Sequence, residues 1–178
     1  YWESNDVTDT LDWTEKTTEI PAGGLNRTRD ASAGELEEVA KNLDILRVES
    51  LSSRYRIVAI SGGAYRLTGA ISAHVEQACV VSLEPVPGKV EASFDVEFWP
   101  TLESEESEGE SSILSGSDVD LLEHGAIPVG RIVFETLSAS VDPYPRREGA
   151  EFAWQDRAGE LGSATNPFAA LSKLKDKG

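Results

Sequence analysis

The alternation of apolar and polar residues between Leu46 and Pro100 constrains the fold more than any other feature of the sequence. The run "RYRIVAI" is followed by the turn sequence "SGG", and the next run keeps apolar or small residues, with the exception of Gln77, on one alternate face from Tyr65 to Cys79. A period of two residues is the pattern of a β-strand with one buried face. After a second turn, "EPVPGK", the segment "VEASFDVEFWP" forms another strand that stops at Pro100. The sequence therefore predicts long antiparallel strands joined by tight turns.

Helical signals flank this strand-rich centre. Ser32 stands three residues before Glu35, which is the spacing of a capping box, and apolar residues follow at helical intervals. This pattern predicts a helix over residues 33–43. A second apolar stripe, with Pro128 suited to its first turn, predicts a helix over residues 127–140.

Together these elements predict an α+β fold, built from a twisted, mostly antiparallel sheet with two main helices and a short C-terminal helix. An alternating segment from Leu25 to Arg29 is predicted to be an edge strand. Long strands must twist strongly, and this twist predicts that the sheet curls into a partly closed barrel.

The chain of 178 residues is long enough for one domain with a real core. We expect a single domain over residues 13–154, preceded by a flexible acidic arm over residues 1–12. Eight acids and no base between Pro100 and His124 predict a disordered acidic loop over residues 102–117. A linker is expected over residues 155–164, and a short docking helix with a basic tip over residues 165–178, where Asn166 and Pro167 stand at the helix start.

The charge balance limits the classes of partner. Sixteen Lys and Arg against thirty-two Asp and Glu give a net charge of −16. Such a field disfavours unsteered binding to nucleic acid and attracts basic proteins. No apolar run approaches the roughly 20 residues needed to cross a bilayer, and a single cysteine excludes an internal disulfide. These features predict a soluble, cytoplasmic protein with no membrane partner.

The single cysteine, Cys79, is predicted to be structural. A metal site would need companions, and on a strand His74 points to the opposite face. A reactive thiolate needs a base or a helix N-terminus beside it, and a mid-strand position supplies neither. We therefore expect no catalytic residue, no metal site and no cofactor, and we assign Cys79 to the core and Phe168 to the docking of the C-terminal helix.

The basic residues are few and grouped. Their ordinary role is to balance nearby acids, whereas arginines beside an aromatic residue in a stiff loop also form small contacts with RNA or a protein partner. The candidate contact residues are Arg54, Arg56, Arg66, Tyr144, Arg146, Arg147, Lys173 and Lys175.

Three stretches in order, "QACVVSLEPV", "GRIVFETLSASVDPYPRREGAEF" and "NPFAALSKLK", resemble the YceD-like family of large ribosomal RNA accumulation proteins. The segment "IPAGGL" is similar to the alphaproteobacterial branch of that family. Many members carry a C-x-x-C pair at this site. Here Cys79 matches the first cysteine and Ser82 stands at the second, so the resemblance implies no paired-cysteine metal or redox role for this chain.

The resemblance implies a non-enzymatic factor that supports synthesis, processing or stability of 23S rRNA. Its expected partner is precursor 23S rRNA or the immature large ribosomal subunit. The alternative, favoured by the acidic surface, is a binding module or chaperone for a small basic ribosomal protein.

Overall fold

The computed structural model describes residues 10–100 and 118–151. These residues form seven strands and two α-helices. Their bounds are β1 Thr14–Lys16, β2 Leu25–Asp30, α1 Ala33–Asn42, β3 Arg47–Ala59, β4 Tyr65–Ala78, β5 Pro85–Trp99, β6 Asp118–Leu121, β7 Ala126–Pro128 and α2 Val129–Ser140.

A five-stranded sheet with the order β2-β3-β4-β5-β6 dominates the fold. Its strands pair antiparallel except for β6, which runs parallel to β5. A separate two-stranded antiparallel sheet joins β1 to β7. The predicted α+β class, the mostly antiparallel sheet and the edge position of β2 are confirmed.

The structure does not support the predicted partly closed barrel. The two edge strands of the large sheet, β2 and β6, do not pair with each other, so the sheet stays open. Both edge strands are short, at six and four residues, while the strands between them have 13 to 15 residues. Short edges leave too few backbone groups to close the sheet, and strand twist is accommodated without closure.

One face of the large sheet carries the core, and we call it the inner face. Both helices and the small β1–β7 sheet contribute to the same hydrophobic cluster, whereas no described element covers the opposite, outer face. The buried apolar residues of the three long strands are Val48, Leu51, Tyr55, Ile57, Leu67, Ile71, Ala73, Val75, Val90, Phe94, Val96 and Phe98.

The two helices follow their sequence signals. At the start of α1, the Ser32 side chain accepts from the Glu35 backbone N–H, and the Glu35 carboxylate accepts from the Ser32 backbone N–H, which completes the capping box. The second helix begins at Val129 rather than at residue 127, because residues 126–128 pair with β1 as β7.

The segment before β1 packs closely against the start of α2. Leu11 is buried, and the backbone N–H of Gly130 donates to the Trp13 carbonyl over 2.8 Å. A Cβ atom on Gly130 would lie 1.9 Å from the Leu11 carbonyl oxygen, so only glycine permits this approach. Of the arm expected over residues 1–12, residues 10–12 are described, and Thr10 and Leu11 are buried there.

Several expectations lie outside the described residues. They concern residues 1–9 of the arm, the loop over 102–117, the linker over 155–164 and the helix and tip over 165–178. Among the described helices, neither α1 nor α2 is long and apolar enough to cross a membrane.

Candidate functional site

The uncovered outer face of the large sheet carries an arginine patch. In the register of the sheet, Arg54 of β3 lies between Thr28 and Ala70, and Arg56 lies between Asn26 and Thr68. Directly paired residues of neighbouring strands project to the same face, so these side chains form one surface. We call it the outer-face patch and define it by Asn26, Thr28, Ser52, Arg54, Arg56 and Thr68.

The three arginines predicted around the hairpin of β3 and β4 differ in their ion pairing. Arg66 donates to both carboxylate oxygens of Asp95, over 2.8 and 2.5 Å, and this hydrogen-bonded pairing raises the pKa of the guanidinium. Arg56 donates to the Gly23 carbonyl over 3.4 Å. Among the described residues, neither Arg54 nor Arg56 pairs with an acid. Within the described part of the chain, no carboxylate therefore competes with an external anion for these two guanidinium groups, whereas that of Arg66 is engaged.

The shape and chemistry of the patch suit a phosphate-ribose backbone. Two shallow concavities lie over it, with volumes of about 360 and 700 Å³, and Thr28 and Arg54 line both. Guanidinium, hydroxyl and amide groups are the usual donors to phosphate and sugar oxygens. The patch contains no aromatic side chain on which a base could stack, so its chemistry favours backbone contact over base recognition.

A second group of candidates lies in the loop after α2. Tyr144 and Arg146 are exposed, and Arg147 forms an ion pair with Glu84 in the turn between β4 and β5. The backbone N–H of Val80 donates to the Pro145 carbonyl over 2.9 Å, which ties the two loops together. Both loops lie beyond the end of β4, near Cys79. Cys79 is nine residues, or roughly 30 Å of extended strand, from Ala70, which pairs with Arg54. The structure therefore does not join these loops to the outer-face patch.

Cys79 lies immediately after β4 rather than in mid-strand, which corrects the position expected from the alternating pattern. Its buried sulfur accepts the backbone N–H groups of Arg147, Ser82 and Val81 at 3.5, 3.4 and 3.5 Å. These donors, that of Arg147 first, lower the pKa of the thiol to about 6. Ser82, which stands where the second cysteine of a C-x-x-C pair would be, thus supplies a hydrogen bond to the thiol. The described residues contain no group of three or more side chains that could hold a metal.

The sequence reasoning missed a buried charged cluster beneath the sheet edge. The Glu15 carboxylate accepts from Arg27 over 2.8 and 2.9 Å, from Arg29 over 3.3 Å and from the Tyr55 hydroxyl over 2.6 Å. The available signal was the alternation of Arg27 and Arg29 on β2, because every second residue of an edge strand faces inward. The remaining predicted residues, Lys173, Lys175 and Phe168, lie outside the described part of the chain.

Comparison with known proteins gives one match. A search of curated proteins and a search of solved structures each found nothing similar. Residues 67–175 match the sequence model of the family described as large ribosomal RNA subunit accumulation protein YceD. The matched region begins within β4 and includes β5, β6, β7 and α2. Because the match spans more than half of the chain, the protein belongs to the YceD family, whose name points to a role in the accumulation of large-subunit ribosomal RNA.

Proposed function

We propose that the protein is a non-enzymatic factor that binds precursor 23S rRNA, or the immature large subunit that contains it, in the cytoplasm. Binding supports synthesis, processing or stability of the RNA without making or breaking a covalent bond. The observation that carries this proposal is the pair of arginines, Arg54 and Arg56, that lack acid partners among the described residues and stand on an uncovered sheet face.

The net charge of −16 makes this pairing pattern informative. In a chain with twice as many acids as bases, most arginines are expected to be neutralised by a neighbour. A small cationic patch on the surface of an anionic protein does not attract RNA from a distance. Contact therefore requires that the RNA backbone fit the patch. Such a protein selects a folded RNA surface rather than any polyanion.

Tyr144 and Arg146 are proposed as a second, smaller contact. Both side chains are exposed on a loop that is braced by prolines and by the bonds to Cys79 and Val80. A tyrosine ring stacks on an unpaired base, and a neighbouring guanidinium contacts phosphate.

The test replaces both arginines of the outer-face patch, as R54A/R56A, and measures binding of the full chain to transcribed precursor 23S rRNA at several salt concentrations. Each lost phosphate contact is expected to weaken binding about tenfold and to reduce the slope of log affinity against log salt by about 0.7–0.9. The matched control is R47A/K89A, which removes two cations that are paired with acids. Equal affinity and slope for R54A/R56A and the control would remove the outer-face patch from the function.

A second candidate function is capture of a small basic ribosomal protein. The excess of acids favours it, because opposite charge accelerates association with a basic partner. Affinity purification with and without nuclease separates the two functions. RNA-dependent association is lost after digestion, whereas a complex with a basic ribosomal protein persists.

A further inference from the structure

Part of one edge of the long strand β5 is unpaired within the described ranges, and we call this part the open edge. Only residues 96–99 pair with β6, so the edge over residues 85–95 has no strand partner among the described residues. Backbone N–H and C=O groups at such an edge form a template for another extended chain. The open edge is therefore a position at which a sixth strand can add, in line with β6.

A groove lies beside this edge, between β5 and the second half of α2. Its volume is about 880 Å³, and its walls include residues 92–96 of β5 and residues 118–120 of β6. The helix contributes five lining residues, Ile132, Glu135, Thr136, Ala139 and Ser140, and the last three are small, so this end of the helix wall leaves room for a peptide.

The orientation of Phe94 helps to keep this groove open. A Cβ atom at Gly69 on β4 would lie 2.5 Å from the Phe94 ring, so the ring lies over the position that the glycine leaves empty. The largest side chain of this part of β5 therefore leans towards β4 and away from the open edge.

The groove is anionic on the side that faces α2. Asp118, Asp120 and Glu135 line it there, and Arg131 pairs with Asp120 and approaches Glu135 at 3.7 Å. Asp118 is exposed and has no ion pair within the described residues. The Arg131 guanidinium thus pairs with two of the three carboxylates, which leaves a surplus of negative charge where the side chains of an added strand would project.

We propose that this groove binds an extended cationic polypeptide segment by strand addition to β5. Side chains of an added strand alternate between the two faces, so every second residue would face Asp118 and Glu135. The preferred segment therefore carries Lys or Arg at every second position and small or β-branched residues between them. This site goes beyond the RNA contact proposed above and does not depend on it, because the two use different residues.

The test uses the full chain and a nine-residue probe peptide that alternates Arg with Thr. Isothermal titration measures its affinity, and hydrogen exchange maps which amides it protects. Binding with new protection at residues 90–95 is the expected result. A peptide of the same sequence with N-methyl groups on every residue after the first keeps the charge and loses its backbone donors on both edges of the strand, and it is expected to bind at least tenfold more weakly.

Charge reversal on the protein gives the second arm of the test. D118K/E135K is expected to weaken binding of the probe at least tenfold, whereas E37K/E38K, on exposed acids of α1, is expected to change it less than threefold. Urea unfolding confirms that both variants fold. Equal weakening by both variants, equal binding of the N-methylated peptide, or protection outside residues 90–95 would overturn the proposal. RNA binding by D118K/E135K would stay sensitive to R54A/R56A in either case, so failure here is distinguishable from failure of the RNA contact.

Discussion

The buried Glu15 cluster gives the sharpest prediction for stability. The Glu15 side chain is 2% exposed. Its two oxygens accept the hydrogen bonds from Arg27, Arg29 and Tyr55 that join β1 to β2 and β3 in this cluster. Glu15→Gln keeps the size of the side chain and removes its charge. The amide nitrogen would then face a donor, because Arg27 reaches both carboxylate oxygens in the protein.

The expected loss follows from burial and from the exposure of the partners. Removing one member of a buried ion pair costs about 3–5 kcal/mol, because the other charge stays desolvated. Here the side chains of Arg27 and Arg29 remain 40% and 31% exposed, so water replaces part of what they lose. The tyrosine hydroxyl keeps an acceptor in the glutamine oxygen. We therefore expect Glu15→Gln to lower the free energy of unfolding by about 2–3 kcal/mol.

Urea unfolding followed by tryptophan fluorescence measures this loss, since Trp13 is buried two residues before the substitution. The slope against urea is expected to stay constant while the midpoint falls. Glu19→Gln is the matched control, because Glu19 is exposed and lies four residues away. A midpoint for Glu15→Gln that equals that of Glu19→Gln would refute the argument that the cluster stabilises the fold.

The pH dependence provides an independent readout of the same cluster. Burial, and then the hydrogen bond with Glu15, raise the pKa of Tyr55 to about 12 from its ordinary value of 10. The unfolded chain therefore loses this proton first. The stabilisation is complete below about pH 10 and is lost as the pH rises towards about 12, by about 3 kcal/mol in all. Glu15→Gln removes one of the causes, so the loss over this range becomes smaller.

Two further predictions concern close backbone approaches. Gly130→Ala places a methyl group against the Leu11 carbonyl and is expected to destabilise the protein by about 2–4 kcal/mol in urea unfolding, whereas Gly149→Ala, which has open space around it, is expected to cost about 1 kcal/mol through its positive φ. The thiolate absorbance near 240 nm, which reports on the single cysteine, is expected to titrate near pH 6 in the folded protein, and a midpoint near 9 would contradict the hydrogen bonds to Cys79. Because the pKa of Cys79 is lowered on folding, the thiolate stabilises the protein above about pH 9, and this stabilisation is lost as the pH falls through about 6. The difference in free energy of unfolding between the protein and Cys79→Ala is therefore expected to become smaller as the pH falls from about 9 to about 6.

Local signals were sufficient for the main elements. The capping box at Ser32 and Glu35 lies within four residues, and the alternating pattern of the long strands depends only on burial of one face. The short strands β1 and β7 were not predicted, because three residues carry no detectable period and their pairing joins segments more than 100 residues apart. The predicted start of α2 at residue 127 was two residues too early for the same reason, because the unpredicted strand β7 ends at Pro128.

Side-chain partners were harder to predict than strands. Glu15 looks like the other acids near the N-terminus, and its burial follows only from the position of β1 beneath β2 and β3. Likewise, Arg66 resembled Arg54 and Arg56 in sequence, and its pairing with Asp95 becomes visible only from the register between β4 and β5. Sequence grouping therefore identified the arginines of the hairpin but did not reveal that Arg66, unlike the other two, pairs with an acid among the described residues.

The arrangement of charges is compatible with the RNA contact that we propose for this anionic chain. Arg54 and Arg56 lie on β3, whereas Asp118 and Asp120 of the groove lie on β6, three strands or about 14 Å further across the sheet. At physiological salt the screening length is about 8 Å, so the groove acids only weakly oppose a phosphate that touches the patch. Between them, Arg66 and Asp95 neutralise each other on the outer face. The total charge of −16 thus suppresses distant attraction to nucleic acid while leaving the proposed contact intact, and under our proposal this combination selects one RNA surface among many.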